Sequence, residues 1–336
     1  MLIGYDPRNK GRPTMRYIAL TIFSLIMMAA LSVPASSAQE WPDGIDDAPA
    51  LNWDGTSRLT IALLGIDRRP ADDAPRGMAR ADVIIIASLY PEQATLSLMH
   101  VPRDLFMPLN PTDPLSEMVR VNTLMRHGEQ LQPGYGVDWL VGTLADNLQI
   151  AIDRYVLVDF EAFIALIDAL GGLEISTGYP IYDPEFPDMN YGYDPFVLPA
   201  GDHVLSGYDA LRFARTRRQD NDYVRGARQM QVLESIHAQL TRTNALPRLL
   251  RATPDLLRSL RDNVQTDIAL ADIAQIAYTA VLIPPENIIT GTLSREYTMS
   301  TFTRNGQRVN TPHPNLIPAL MSDIFGADYW MSSSVP

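Results

Sequence analysis

Two separated clusters of arginine and aspartate carry the residue types that bind phosphate. The first comprises Asp67-Arg68-Arg69 and Arg80-Ala81-Asp82; the second runs from Arg215-Thr216-Arg217 through Asp222, Arg225, Arg228 and Gln229. Between Arg215 and Arg228 stand five arginines and two aspartates, a local positive excess in a chain whose formal net charge is −12. Guanidinium is planar, permanently protonated and able to grip phosphate oxygens bidentately. Arginines beside paired aspartates therefore suit a diphosphate held together with a divalent metal. The alternative is a solvated surface of mutual salt bridges.

The elements that must position these groups are legible around them. Asp67 follows the apolar strand Leu59 to Leu64, and Asp82 opens the β-branched run through Ile86, so the two carboxylates are expected to meet at one sheet edge as oxygen ligands for magnesium. Pro102-Arg103-Asp104 follows the strand Thr95 to Val101, which Pro91-Glu92-Gln93 joins to its predecessor as a hairpin. Arg215 and Arg217, two apart, are expected on one side of an extended segment. Arg225, Arg228 and Gln229 share one helix face at i, i+3 and i+4, with Asp222 placed to cap that helix. If the helix N-terminus faces the site, its dipole favours an anion there. The five histidines lie outside these motifs, and Asp104 or Asp222 could act as a base or hold an arginine in place.

Further along, Leu140, Val141, Leu144 and Leu148 fall at helical spacing, and Tyr155 to Val158 reads as a strand. A helix then runs from an Asp159 cap to Gly171-Gly172, and Leu173-Glu174-Ile175 resumes strand in one continuous core. Tyr179 to Pro199, with five prolines and six aromatics, reads as a long ordered loop, either a lid or acceptor-binding edge or a packed surface excursion. Helices are expected over Met230 to Leu240, Leu246 to Leu260 and Asp267 to Val281, and Asn305-Gly306 marks a tight hairpin. This mixture predicts an α/β fold with a mixed sheet and helices on both faces.

At 336 residues, with 46% hydrophobic and 20% charged residues, the chain can bury a sizeable core. Its acidic balance argues against general nucleic-acid binding, and the absence of cysteine removes thiol chemistry, disulfides and thiolate metal sites. At the N-terminus, a basic region over residues 1–16 precedes an export segment over 17–38, whose apolar run extends from Tyr17 to Val33. That segment serves either as a retained anchor or, given Pro34-Ala35-Ser36-Ser37-Ala38, as a cleaved signal. A Pro- and Asp-rich linker over 39–57 leads to one extracytoplasmic domain over 58–330, at the outer face of the membrane or secreted.

Taken together, the motifs resemble the LytR-CpsA-Psr family of bacterial envelope proteins. Gly65-Ile66-Asp67-Arg68-Arg69, Arg80-Ala81-Asp82, Pro102-Arg103-Asp104 and Arg120-Val121-Asn122 follow the family's order. So do Tyr155 to Phe160, Asp168 to Gly172, Ala210-Leu211-Arg212-Phe213, and the set from Arg215 to Gln229. Arg120 stands for a lysine and Ala81 for a serine. The resemblance implies a three-layer αβα domain with a central mixed β-sheet and a hydrophobic pocket for a polyprenyl chain. It also implies transfer of a glycopolymer from a polyprenyl-pyrophosphate carrier to a peptidoglycan hydroxyl, with Asp67 and Asp82 binding Mg2+. Arg69, Arg80, Arg103, Arg120, Arg215, Arg217, Arg225 and Arg228 are the candidate phosphate ligands, with Gln229 orienting a phosphate oxygen or an arginine. A pyrophosphatase using water, or a non-catalytic carrier-binding protein, are the competing readings.

Overall fold

The computed structural model describes residues 51, 53–68, 75–113, 115–188, 192–216, 218, 222–241 and 262–331, all within one compact unit, Asp43–Pro336. Six strands form the central sheet: β1 (Leu59–Ile66), β2 (Ala81–Tyr90), β3 (Thr95–His100), β6 (Arg154–Val158), β11 (Val264–Thr266) and β12 (Ile288–Thr292). Their order is β11-β6-β1-β2-β3-β12. Parallel pairs β1 with β6 and β3 with β12 combine with antiparallel neighbours, so the sheet is mixed.

Alternation along the strands separates the two faces. Ala62, Leu64 and Ile66 of β1, with Ile84 and Ile86 of β2, pack beneath helices α1 (Leu124–Leu131), α2 (Gly136–Leu148) and α7 (Ile317–Phe325). The opposite face receives α5 (Asp222–Leu240) through Met230 and Leu233, and α6 (Leu270–Val281) through Ile273 and Ile276. These are three layers, as the resemblance implies.

Beside this core, α3 (Phe160–Ala169) and α4 (Gly207–Arg215) pack with the antiparallel pairs β7 (Leu173–Thr177) with β10 (Gly201–Leu205) and β8 (Ile181–Asp183) with β9 (Phe196–Leu198). Strand β7 therefore belongs to a separate two-stranded sheet with its own apolar cluster, and does not extend the central core as expected. The Tyr179 to Pro199 segment is likewise more than a loop. Its ends pair, and Phe186 and Phe196 bury their rings at 6.3 Å. Proline spacing concealed strands only three residues long.

The expected linker also runs too far. Leu51 and Trp53 are buried against Leu59, Ile61, Ile268 and Ile283, and the Leu51 amide donates to Asp272 at 2.7 Å. Two isolated apolar residues have no period to advertise their burial. Helix α6 starts at Leu270 and not at Asp267, whose carboxylate instead accepts from the Tyr155 amide at 2.8 Å. Strands β4 (Phe106–Pro108) and β5 (Met118–Arg120) pair antiparallel, as do β13 (Thr298–Phe302) and β14 (Arg308–Pro312) around left-handed Gly306, the turn Asn305-Gly306 predicts. The Leu246 to Leu260 helix and the N-terminal segments through residue 50 lie outside the described residues. Among the described residues no helix is long and apolar enough to cross a membrane.

Candidate active site

Strands β1 and β2 pair in register up to Gly65↔Val83, after which Ile66 pairs with Ala81. Asp82 is the extra residue of this bulge. A bulge re-aims side chains, and here consecutive residues Asp82 and Val83 both line a cavity of about 720 Å³. Asp67, one residue past β1, lines it too. The carboxylates thus converge where the end of β1 meets the start of β2, at one margin of the central sheet.

The helices supply a gradient of polarity. On α5, Arg225, Gln229, Val232, Leu233 and Ile236 line the cavity at helical spacing, charged in the first turn and apolar deeper. Phe163 and Leu166 of α3, Leu211 of α4, and Leu63 and Ile85 of the sheet complete the apolar interior. Many of these side chains are only half-buried because they face open space instead of a packed layer. Such a cavity, apolar within and polar at its mouth, matches the size and character of small-molecule sites, which span roughly 300–1,000 Å³.

At the mouth, Arg103 donates to Asp82 at 2.6 Å and Arg215 to Asp67 at 3.0 Å. Arg215 terminates α4 and does not lie on an extended segment, so it cannot share a strand face with Arg217 as expected. Its guanidinium sits over Phe160 at 4.1 Å and Phe186 at 5.4 Å, an aromatic cradle that fixes its plane. Asn122 is buried and donates to Asp82 at 3.4 Å, joining the site through the motif that begins at Arg120.

Gln229 is 5% exposed, and its Nε2 donates to the Ala214 carbonyl at 3.3 Å. Its Oε1 has no hydrogen-bond partner among the described residues, so it suits an arginine or a hydroxyl donor better than a phosphate oxygen. Arg228, equally buried, donates to the Thr216 carbonyl and is absent from the cavity lining among the described residues. It braces the segment after Arg215. Arg80 is exposed just before β2, and Arg120 pairs with Asp104 at 3.2 Å outside the lining. Arg69, Arg217 and the side chain of Asp222 lie outside the described residues.

Residues to which the sequence reading gave no part in the site also shape it. Asp159 caps α3 by accepting from the Ala162 amide at 3.2 Å, yet it also lines the cavity. Burial raises its pKa, against the pull of that amide and of Arg76 and Arg68. Phe160 lies in the Tyr155 to Phe160 motif and Phe186 among the aromatics of the Tyr179 to Pro199 segment, but nothing local announces a guanidinium above either. Arg218, which pairs with Glu185 at 2.5 Å, lies within the arginine cluster and was available to a reading by charge alone.

The donor set fits a hard divalent cation. Among the described residues no group of three or more His, Cys, Asp or Glu side chains is arranged to hold a metal ion. Asp67 and Asp82 bring two hard oxygen donors to the same mouth, and these are the residues that would hold a magnesium ion.

Behind the mouth, the His100 ring presses on α5 where a Cβ at Gly226 would lie 2.4 Å from Nδ1. Burial, and then Arg225, lower the His100 pKa to about 4. An unfolded histidine titrates near about 6.5, so between these values only the unfolded chain binds the proton. Stability is full above about pH 6.5 and falls as pH drops toward 4, by up to about 3 kcal/mol. Denaturant midpoints measured across this window should decline in the parent, and His100→Gln should flatten the decline; parallel slopes would refute the assignment.

A profile of the LytR_cpsA_psr family matches residues 30–315. Similar proteins include the polyisoprenyl-teichoic acid–peptidoglycan teichoic acid transferase TagT of Bacillus subtilis, 27% identical over 65% of this chain and 62% of that protein. The corresponding TagU of Bacillus licheniformis is 24% identical over 80% and 84% respectively. This chain thus spans less than two thirds of the TagT relative. Among solved structures, TagV of Bacillus subtilis superposes with a TM-score of 0.60 at 21% identity, covering 82% of this chain and 98% of that one. TagT bound to LIIa-WTA gives 0.61 at 20% identity, with 86% and 97% covered. The fold is shared with these proteins and the family profile spans most of the sequence: the chain belongs to the LytR-CpsA-Psr family.

Proposed function

We propose that this protein transfers a glycopolymer from a polyprenyl-diphosphate carrier to a hydroxyl of peptidoglycan, at the outer face of the bacterial membrane. The observation that carries this reading is the convergence of Asp67, Asp82, Arg103, Arg215 and Arg225 at the mouth of an otherwise apolar cavity. A lipid tail belongs in the interior and a diphosphate at the rim. TagT and TagU, named as teichoic acid transferases acting from a polyisoprenyl carrier, support the same class.

Arg103, Arg215 and Arg225 would bind the diphosphate oxygens, with Arg103 held by Asp82, and Arg215 by Asp67 and Phe160. The acceptor hydroxyl oxygen attacks the phosphorus that bears the polymer, the P–O bond to polyprenyl phosphate breaks, a phosphodiester to the wall forms, and the hydroxyl proton ends on the departing polyprenyl phosphate. Catalysis here is mostly positioning and charge neutralisation. A magnesium ion held by Asp67 and Asp82 would add neutralisation of phosphate charge. Arg80, Arg120 and Asp104 do not line the cavity, and Arg120 pairs with Asp104.

Mass spectrometry of material copurified with the full chain should find a polyprenyl diphosphate, and incubation with a short-chain carrier and wall glycan should leave phosphate on the glycan. Release of phosphate into solution instead would favour a pyrophosphatase. Carrier bound without turnover would leave only a binding protein.

A further inference from the structure

Among the described residues five carboxylates line the cavity, and four of them are already engaged by a side chain. Asp67 holds Arg215, Asp82 holds Arg103, Glu185 holds Arg218, and Asp183 accepts from the Thr216 hydroxyl at 2.6 Å. Asp159 is the exception. It forms no ion pair among the described residues: it accepts from the Ala162 amide at 3.2 Å, while Arg76 and Arg68 act on it through their charge. A carboxylate offers about four lone-pair sites, so acceptor capacity remains toward the cavity.

The fold brings this carboxylate to the reaction. Strand β6 runs parallel to β1 with Val158 opposite Gly65, so Asp159 leaves the end of β6 beside the chain that carries Asp67. Ligands of α/β sheets gather outside the carboxyl ends of such strands. The next residue, Phe160, lies under the Arg215 guanidinium at 4.1 Å. Although only 4% exposed, Asp159 therefore lines the cavity beside the arginines that would grip a diphosphate. Attack by a sugar hydroxyl requires a group to take its proton, and a carboxylate bound to arginine has lone pairs committed to that partner. We propose that Asp159 is the general base of transfer: its carboxylate takes the acceptor hydroxyl's proton as that oxygen bonds to phosphorus, and gives it to the departing polyprenyl phosphate after the P–O bond breaks. This rests on the transfer reading above. Burial, which raises the Asp159 pKa, makes its carboxylate a stronger proton acceptor.

The competing role is helix capping alone, and substitution separates the two. Asn and Ser cap helices about as well as Asp, so Asp159→Asn and Asp159→Ser should both fold, with melting temperatures close to the parent's. In the full chain, given a short-chain polyprenyl-diphosphate-linked sugar and wall glycan, transfer by either variant should fall about a hundredfold to ten-thousandfold. Affinity for a short-chain polyprenyl diphosphate should be unchanged or tighter, because a negative charge leaves the surroundings of an anion. Sodium formate can occupy the space vacated in Asp159→Ser and should restore part of the lost turnover, where sodium chloride at the same concentration should not. Undiminished transfer in a folded variant would return Asp159 to capping alone. Carrier affinity lost in step with turnover would make it a brace of the mouth, and a Ser variant that formate leaves inactive would equally overturn the base. Each variant decides the matter by itself, so a folding failure of one leaves the other. A parent that releases phosphate into solution and puts none on the glycan would end the transfer reading, whereas the same losses and the same formate rescue in that hydrolysis would keep Asp159 as the base acting on water.

Discussion

Replacing Asp82 by asparagine is expected to lower polymer transfer by about a hundredfold to a thousandfold, the usual scale for removing one preorganised electrostatic group from a reaction centre. The fold should survive. Asp82 occupies a bulge at a strand end, 27% of its side chain is exposed, and asparagine preserves its shape. Two accounts of the residue then part in sign. If Asp82 only orients Arg103, the variant should bind carrier more weakly at every magnesium concentration. If it is a metal ligand, removing its negative charge should leave metal-free carrier binding equal or tighter, while the dependence on magnesium disappears. Carrier titrations with and without magnesium, beside turnover, distinguish these. Unchanged turnover across a magnesium titration in the folded variant would remove the metal assignment.

Much of the scaffold could be read from local chemistry. Strands β1, β2 and β3 and the β2–β3 hairpin followed from apolar, β-branched and alternating runs, and α3 from the Asp159 cap and the terminating Gly171 and Gly172. What was not readable is instructive. Leu63, Val83, Phe163 and Ile236 have the same residue types and spacing as core positions, and only the space they face makes them cavity wall. Periodicity reports which side of an element is apolar, never whether another element closes over it. The burial of Leu51 was hidden for a related reason, since it depends on partners far along the chain such as Ile268 and Ile283, whereas β8 and β9 were hidden because each is only three residues long.

The site was legible in its composition and less so in its geometry. Asp67, Asp82, Arg103, Arg215, Arg225 and Gln229 do assemble at one mouth. Spacing alone placed Arg215 on a strand, whereas Ser206, accepting from the Asp209 amide at 3.1 Å, caps a helix that carries it. Arg225, Arg228 and Gln229 occupy one helix face, yet only the first and last reach the cavity. The turn between them points Arg228 at the Thr216 carbonyl. A helix face is wide enough to serve two neighbours.

Arg215→Lys is expected to weaken binding of a short-chain polyprenyl diphosphate by roughly tenfold to a hundredfold, as loss of a charged hydrogen bond worth about 1.5–3 kcal/mol implies. Charge is conserved in this exchange, so the loss isolates geometry. The guanidinium stacks on Phe160, approaches Phe186 and still reaches Asp67, three constraints that hold its donor fork in one plane. An ammonium on a flexible stem has no plane to hold and cannot donate two parallel bonds to a phosphate. Arg218 supplies the control. It belongs to the same cluster, but it and its partner Glu185 are each about half exposed, and exposed pairs are worth at most about 1 kcal/mol. Arg218→Lys should therefore change carrier affinity little. Matching losses in both variants would mean that cluster charge, and not the aromatic-backed fork, binds the diphosphate. No loss in either would leave Arg215 as a strut tying α4 to β1 through Asp67.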